Sequence, residues 1–148
     1  MDIQERLSED LKQAMRQGDE VRRSILRMVR SAVHNDEIAK QRSLEDAEVL
    51  QVITRMLRQN RESIEAYEKG NRPELLEREI AERAILQEYQ PPQLSEDDLI
   101  ELARKIIEET GAQGPGDIGK VMARLMPQVK GRADGAQVSA LMSRLLAG

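Results

Sequence analysis

The 148-residue chain has no cysteine, no tryptophan and no phenylalanine, and Tyr67 and Tyr89 are its only aromatic residues. Without cysteine there is no disulfide, no thiolate metal site and no thiol nucleophile, which fits a reducing cytoplasm. With so few rings, the core must be built from Leu, Ile, Val, Met and Ala. Single-stranded bases would also find no aromatic platforms to stack on. No apolar run approaches the roughly 18 residues that a membrane span needs. The opening MDIQERLSEDL is acidic and amphipathic, unlike a secretory signal. No segment alternates apolar and polar residues over five or more positions, so strands are not expected. A formal net charge of −4 argues against bulk attraction to nucleic acid and leaves room only for a local contact.

What the chain does contain is helical periodicity. Ile3, Leu7, Leu11 and Met15 predict one apolar stripe, closed by Gly18. Asp19 caps a second helix with an apolar face of Val21, Ile25, Met28, Val29, Ala32 and Val33, and with Arg23, Arg27 and Arg30 outward. Residues 35–42 read as a polar connection. Ser43-Leu-Glu-Asp46 resembles a capping box and starts a long helix on Ala47, Leu50, Ile53, Met56 or Leu57, Ile64 and Tyr67, which Gly70 stops. Asn71 as cap and Pro73 in the first turn open a fourth helix, expected to bury Leu76, Ile80, Ala84 and Gln87. Pro91-Pro92 ends this run and marks a domain boundary. Ser95 then caps a helix on Leu99, Ala103 and Ile106, closed by Gly111. A short helix follows Asp117 and is ended by Pro127. Asp134-Gly-Ala-Gln137 opens the last helix on Val138, Leu141, Met142 and Leu145. The expectation is an all-α chain, with an N-terminal helical domain of about four helices over residues 1–92 and a small C-terminal three-helix domain over residues 95–148.

Catalytic patterns are weak. Gly114-Pro-Gly-Asp-Ile-Gly119-Lys120 has the spacing of a phosphate-binding P-loop, but Val121 stands where a Ser or Thr should reach Mg²⁺, and no strand precedes it. His34 is the lone histidine, near an expected helix end where an imidazolium is mildly favoured. Spacings for a histidine metal site are absent, so no metal and no cofactor are expected. Acidic pairs such as Asp97-Asp98 and Glu108-Glu109 read as solvated helix faces. Two arginine stripes, Arg23/Arg27/Arg30 and Arg55/Arg58/Arg61, read as partners for the carboxylates of neighbouring helices.

The stretch from Gly114 to Gly135, GPGDIGKVMARLMPQVKGRADG, is different. It holds five of the nine glycines, and from Asp117 onward five basic residues face two acidic ones. Lys120 and Arg124 share one side of a helix, Lys130 and Arg132 flank Gly131, and the helix start at Asp134-Gly135 is lightly covered, so its N–H groups could lie near an anion. Together these could track a phosphate backbone, recognised by charge and shape as in folded RNA.

GDIGKVMARLMPQVKGRADGAQVSALM resembles the signature of the GatB/YqeY family, with its Gly-Lys-Val-Met step, its Gly-Arg-Ala-Asp-Gly turn and the apolar helix that follows. Leu11-Lys-Gln-Ala-Met15, Leu26-Arg-Met28, Arg61-Glu-Ser-Ile-Glu-Ala-Tyr67 and Tyr89-Gln-Pro-Pro-Gln-Leu-Ser95 agree with its YqeY branch, so the resemblance covers nearly the whole chain. One departure is Gln90-Pro91, where the family pattern would place Leu-Pro; it is expected to touch only the linker. The resemblance implies a C-terminal domain similar to the tail of the B subunit of the tRNA-dependent amidotransferase, a carbon–nitrogen ligase with glutamine as nitrogen donor. The kinase-like cradle and the amidase Ser-Ser-Lys machinery of that enzyme have no counterpart here. Carried over as motif positions are Gly119, Lys120, Gly131, Arg132, Ala133, Asp134 and Gly135. Lys120, Arg124, Lys130 and Arg132 are expected to contact RNA, while Asp134 and the glycines shape the turn.

The expected function is therefore a non-catalytic, cytoplasmic protein in translation that binds tRNA, an aminoacyl-tRNA synthetase or amidotransferase subunits, with no membrane role. One alternative is a helical protein–protein adaptor without an RNA role. Another is an auxiliary component that completes an amidotransferase only in complex.

Overall fold

A computed structural model of the chain describes residues 1–147. Among the described residues every regular element is helical, so the chain is all-α, and no helix is long and apolar enough to cross a membrane. The chain divides into two compact units, Met1–Gln90 and Pro91–Gly148.

The first unit holds α1 (Ile3–Gln17), α2 (Glu20–Lys40), α3 (Asp46–Lys69) and α4 (Pro73–Gln87). α1 packs along α2, α3 along α4, and α2 also meets both α3 and α4. Leu7, Leu11, Ile25, Leu26, Val29, Val33, Val49, Val52, Ile53 and Leu86 form one aliphatic core. Asp2 and Asp19 cap α1 and α2 through their side chains, and Gly18 closes α1.

Several sequence expectations need correction here. Met15 is 52% exposed and Ala14 is buried in its place. Steps of four residues advance about 40° beyond a full turn, so the third step carries Met15 off the buried face. Met28 is likewise 54% exposed, and Leu26 fills the core. The expected connection at residues 35–42 is helical as far as Lys40. Distant partners hold that polar end. Glu37 accepts from the Leu44 N–H at 2.9 Å and from Gln4 at 3.2 Å, and its carboxyl lies below the usual range. The capping box is Glu45/Glu48 rather than Ser43/Asp46. Glu48 accepts from the Glu45 N–H at 3.1 Å, from Arg42 at 2.7 and 2.8 Å and from Lys40 at 2.6 Å. This crowd of donors holds the Glu48 carboxyl far below its ordinary value.

α4 presents a different face from the one expected. Arg72 is its N-cap and Pro73 its first residue, while Asn71 sits in a left-handed conformation in the preceding turn. Ile85 and Leu86 are buried, whereas Ile80 is 41% and Leu75 45% exposed and Ala84 and Gln87 face solvent. The inner side is partly polar. Buried Asn60 of α3 donates to the Glu79 carbonyl at 2.8 Å and to its carboxylate at 2.7 Å. Beyond α4, buried Tyr89 donates to Asp10 while Arg6 lies 4.8 Å over its ring, which ties this end of α4 to α1. Burial and the Asp10 carboxylate push the Tyr89 phenol well above its usual range.

The second unit holds α5 (Glu96–Thr110), a 3₁₀ turn (Pro115–Asp117), α6 (Ile118–Val129) and α7 (Gly135–Ala147). Its core is Leu99, Ala103, Ile106, Val121, Leu125, Val129, Val138, Leu141, Met142 and Leu146. Ser95 caps α5 through the Asp98 N–H, and Gly111 closes it. Pro127 does not end α6, which runs to Val129. Proline forfeits one helical N–H, but Val129 is fully buried and holds the last turn in place.

Two outcomes are expected. Leu125→Ala should destabilise the second unit by about 2–5 kcal/mol in denaturant unfolding, and a loss below about 1 kcal/mol would contradict the core described. Because the Glu48 carboxyl is depressed in the folded state, it contributes stability above the unfolded carboxylate range and loses that contribution as pH falls through its folded value. The gap in melting temperature between the parent and Glu48→Gln should thus be full at pH 7 and shrink steadily below about pH 4.5. A pH-independent gap would contradict it.

Candidate nucleic-acid interface

The turn between α6 and α7 is fixed by backbone geometry. Lys130 ends α6, and Gly131 follows at φ +78°, a left-handed conformation that a side chain disfavours. The Arg132 and Ala133 N–H groups then return to the Val129 carbonyl at 2.8 and 3.1 Å. At the far side, Asp134 accepts from the Ala136 N–H at 3.0 Å, and its own carbonyl accepts from Val138 at 2.9 Å.

The segment before α5 braces this turn. Leu94 N–H donates to the Arg132 carbonyl at 2.9 Å. Gln93 Nε2 donates to the Gly131 and Pro91 carbonyls, each at 2.9 Å, and Arg132 Nε donates to the Pro92 carbonyl at 3.3 Å. Residues 91–94 read in the sequence as a boundary and as part of the family-like segment Tyr89–Ser95, and nothing local to Gln93 signals the role. Pro91 belongs to the brace, and its Cγ would lie 4.0 Å from a Cβ on Gly131.

Two of the four cations, Lys130 and Arg132, lie in this turn, and the other two, Lys120 and Arg124, lie along α6. Lys120, Arg124, Lys130 and Arg132 are all exposed. Lys120 and Arg124 occupy the side of α6 away from Val121, Leu125 and Val129. Arg124 pairs with Glu109 of α5 at 3.7 Å, an exposed pair worth at most about 1 kcal/mol. Lys120, Lys130 and Arg132 have no carboxylate within ion-pair distance among the described residues. At 1.5 Å rise per residue, Lys120 and Lys130 lie about 15 Å apart along the axis of α6. Arg132 spends its Nε on Pro92, which steadies the side chain and leaves its terminal amino groups for an anion.

The glycines divide by position. Gly119 and Gly135 lie in the first turns of α6 and α7, and only Gly131 has a positive φ among the motif glycines. The start of α7 is less open than its sequence implies, since the Asp134 carboxylate already takes the Ala136 N–H. The P-loop-like segment is closed in the same way. The Asp117 carboxylate accepts from the Gln113 N–H at 2.9 Å, filling the place where a phosphate cradle would aim its donors outward.

Elsewhere, His34 lies well inside α2 rather than at its end, which removes the helix-terminus argument. It lines a cleft of about 670 Å³ with Ser8, Arg30, Ser31 and Glu37. A second cleft, of about 530 Å³, is lined by Arg6, Asp10 and Arg22; Arg22 pairs there with Glu88 and Asp19. No group of three or more His, Cys, Asp or Glu side chains suited to a metal ion occurs among the described residues.

Comparison with known proteins adds the following. The family model described as Yqey-like protein matches residues 4–146. Three similar relatives carry the name Altered inheritance of mitochondria protein 41, mitochondrial. That of Pyrenophora tritici-repentis is 29% identical over 86% of this chain and 71% of its own length. That of Lachancea thermotolerans is 31% identical over 74% of this chain and 60% of its own length. That of Kluyveromyces lactis is 35% identical over 57% of this chain and 46% of its own length. The chain thus spans between about half and 71% of the relatives it matches.

The two glycines at the ends of α6 should respond oppositely to alanine. Gly131→Ala forces a side chain into the left-handed region and should cost about 1–2 kcal/mol. Gly119→Ala meets no atom within 4 Å in a helical position, and should stabilise by about 0.5–1 kcal/mol. Equal effects of the two substitutions on urea midpoints would contradict the turn geometry.

Proposed function

The chain belongs to the YqeY-like family, and on that premise we propose that it is a non-catalytic accessory protein that binds tRNA through the stretch from Lys120 to Arg132. The observation that carries this reading is the set of Lys120 near the start of α6 and Lys130 and Arg132 at a turn braced by Gln93 and Leu94, all exposed and, among the described residues, without carboxylate partners. A surface of this kind matches phosphate oxygens and reads little else. With no aromatic side chain in the second unit, recognition rests on charge and the shape of folded RNA rather than on stacked bases. The resemblance of the tail to the amidotransferase B subunit supports a setting in glutamine-dependent amidation, with the tRNA as ligand of a synthetase or amidotransferase complex that this chain assists. The cytoplasm is the compartment proposed for this chain. The fungal relatives, by their names, are mitochondrial proteins, and tRNA charging takes place in both compartments.

A second reading is favoured by one feature of the first unit. Ile80 of α4 is a large apolar side chain left on the surface, with exposed Ala84 one turn further on, and Leu75 is exposed on another side of the helix. A protein adaptor would use such a face to dock on a partner, with no need of RNA.

Titration of bulk tRNA at several salt concentrations separates the two. Lys120→Glu/Arg132→Glu should weaken binding about tenfold or more and make the plot of log affinity against log salt shallower by about two, close to one unit for each lost phosphate contact. Affinity unchanged in the double variant, or no salt-sensitive binding by the parent, would overturn the tRNA reading. Retention of a partner protein by residues 1–92 alone would favour the adaptor.

A further inference from the structure

From Val21 to Asn35 the chain carries Arg22, Arg23, Arg27, Arg30 and His34 and no acidic residue, although acidic side chains outnumber basic ones overall. These positions form the N-terminal part of α2. At about 100° per residue, Arg23, Arg27, Arg30 and His34 fall within an arc of about 60°. Ile25, Leu26, Val29 and Val33 lie on another side and are buried in the core. Arg22 is accounted for by Glu88 and Asp19. The other three arginines are not. Their guanidinium groups make no ion pair and no hydrogen bond among the described residues. The bland expectation that neighbouring helices neutralise this stripe therefore fails on α2, though Arg55 of α3 does find Asp36 at 3.5 Å.

Nothing within a turn of Arg27 or Arg30 on α2 can compensate them, while Arg23 has Glu20 three residues before it, a carboxylate that lies 3.9 Å from Arg78. The positions three and four residues from Arg27 hold Arg23, Ser24, Arg30 and Ser31, and those around Arg30 hold Leu26, Arg27, Val33 and His34. Like charges at this spacing work against a helix, so the stripe is held at some expense by the core on the other side. Of the three acids that line the adjoining cleft, Asp2, Glu5 and Glu37, two are engaged as acceptors. Asp2 accepts from the Glu5 N–H, and Glu37 accepts from Leu44 and Gln4.

We infer that this side of α2 is a second RNA contact, a row of guanidinium groups that grips the phosphate backbone of the same folded RNA proposed as the ligand of the Lys120–Arg132 stretch. The inference rests on that reading for the identity of the ligand. Guanidinium matches phosphate with paired hydrogen bonds, and Arg23, Arg27 and Arg30 present three of them along the stripe. An acidic protein is the weaker candidate, because protein interfaces centre on buried apolar or aromatic anchors and none lies within this arc. Exposed Met28 sits about 100° around the helix from Arg27. Insertion of this helix into a bilayer is excluded, since the apolar side that would enter it is packed in the core.

The test uses the full chain with bulk tRNA as ligand and polyglutamate as a second polyanion. Compared with the parent are Arg23→Ala/Arg27→Ala/Arg30→Ala, the same positions changed to Lys, and Lys120→Glu/Arg132→Glu. All three arginines lie outside the core, so helicity should not change. The alanine triple should bind tRNA about tenfold or more weakly near 100 mM salt, with a salt slope shallower by about two to three, and the lysine triple should recover the slope. An alanine triple that matches the parent while the Lys120/Arg132 variant is weakened overturns the α2 contact alone. A weakened alanine triple beside an unchanged Lys120/Arg132 variant supports the α2 contact and overturns the C-terminal one. No salt-sensitive tRNA binding by the parent overturns both. Polyglutamate binding that disappears in the alanine triple while tRNA binding stays intact overturns RNA as the occupant.

Discussion

Aliphatic burial sets the rotation of each helix about its own axis, and every surface described above follows from that rotation. A buried Leu, Ile or Val contributes about 1.5–3 kcal/mol, whereas an exposed ion pair contributes at most about 1 kcal/mol. In a chain with almost no aromatic residues the first term is supplied by small branched side chains spread along each helix, so the helix turns to bury them and its charges go where they are left. On α6, Val121, Leu125 and Val129 point inward, and Lys120 and Arg124 are carried outward. On α2, Ile25, Leu26, Val29 and Val33 do the same for Arg27 and Arg30.

Local signals were the most legible part of the fold. Asp19, Ser95, Gly18 and Gly111 mark helix ends through interactions within a few residues, and the structure places helix ends at each. The failures share a cause in distant contacts. α2 outruns its expected end because Gln4 and Leu44 reach Glu37, and α4 turns Ile80 outward because its inner side accommodates Asn60 bonded to Glu79. The same holds for the candidate site. Its residue types and their cluster around Gly131 are visible in the sequence. The hydrogen bond from Gln93 to the Gly131 carbonyl spans 38 residues and is not.

The two cationic surfaces are built differently. The C-terminal one includes a turn whose backbone is clamped at Gly131 and Arg132, so the Arg132 charge is held in place before any ligand arrives, and binding there loses less conformational entropy. The α2 row is made of long, unclamped side chains on a rigid helix, a form that tolerates variation in the path of a phosphate backbone. Family membership is carried by the match over residues 4–146. The name shared by the fungal relatives speaks of mitochondria and is silent on RNA, so the RNA reading stands on the charges and the geometry of this chain and on the resemblance of its tail.

The most direct test of the central claim is residue-resolved. Backbone amide chemical shifts of the full chain, followed through a tRNA titration at low salt, should move most between Lys120 and Gly135 and in the bracing residues Gln93 and Leu94. Shifts confined to α4 around Leu75 and Ile80, or none at all, would contradict the account.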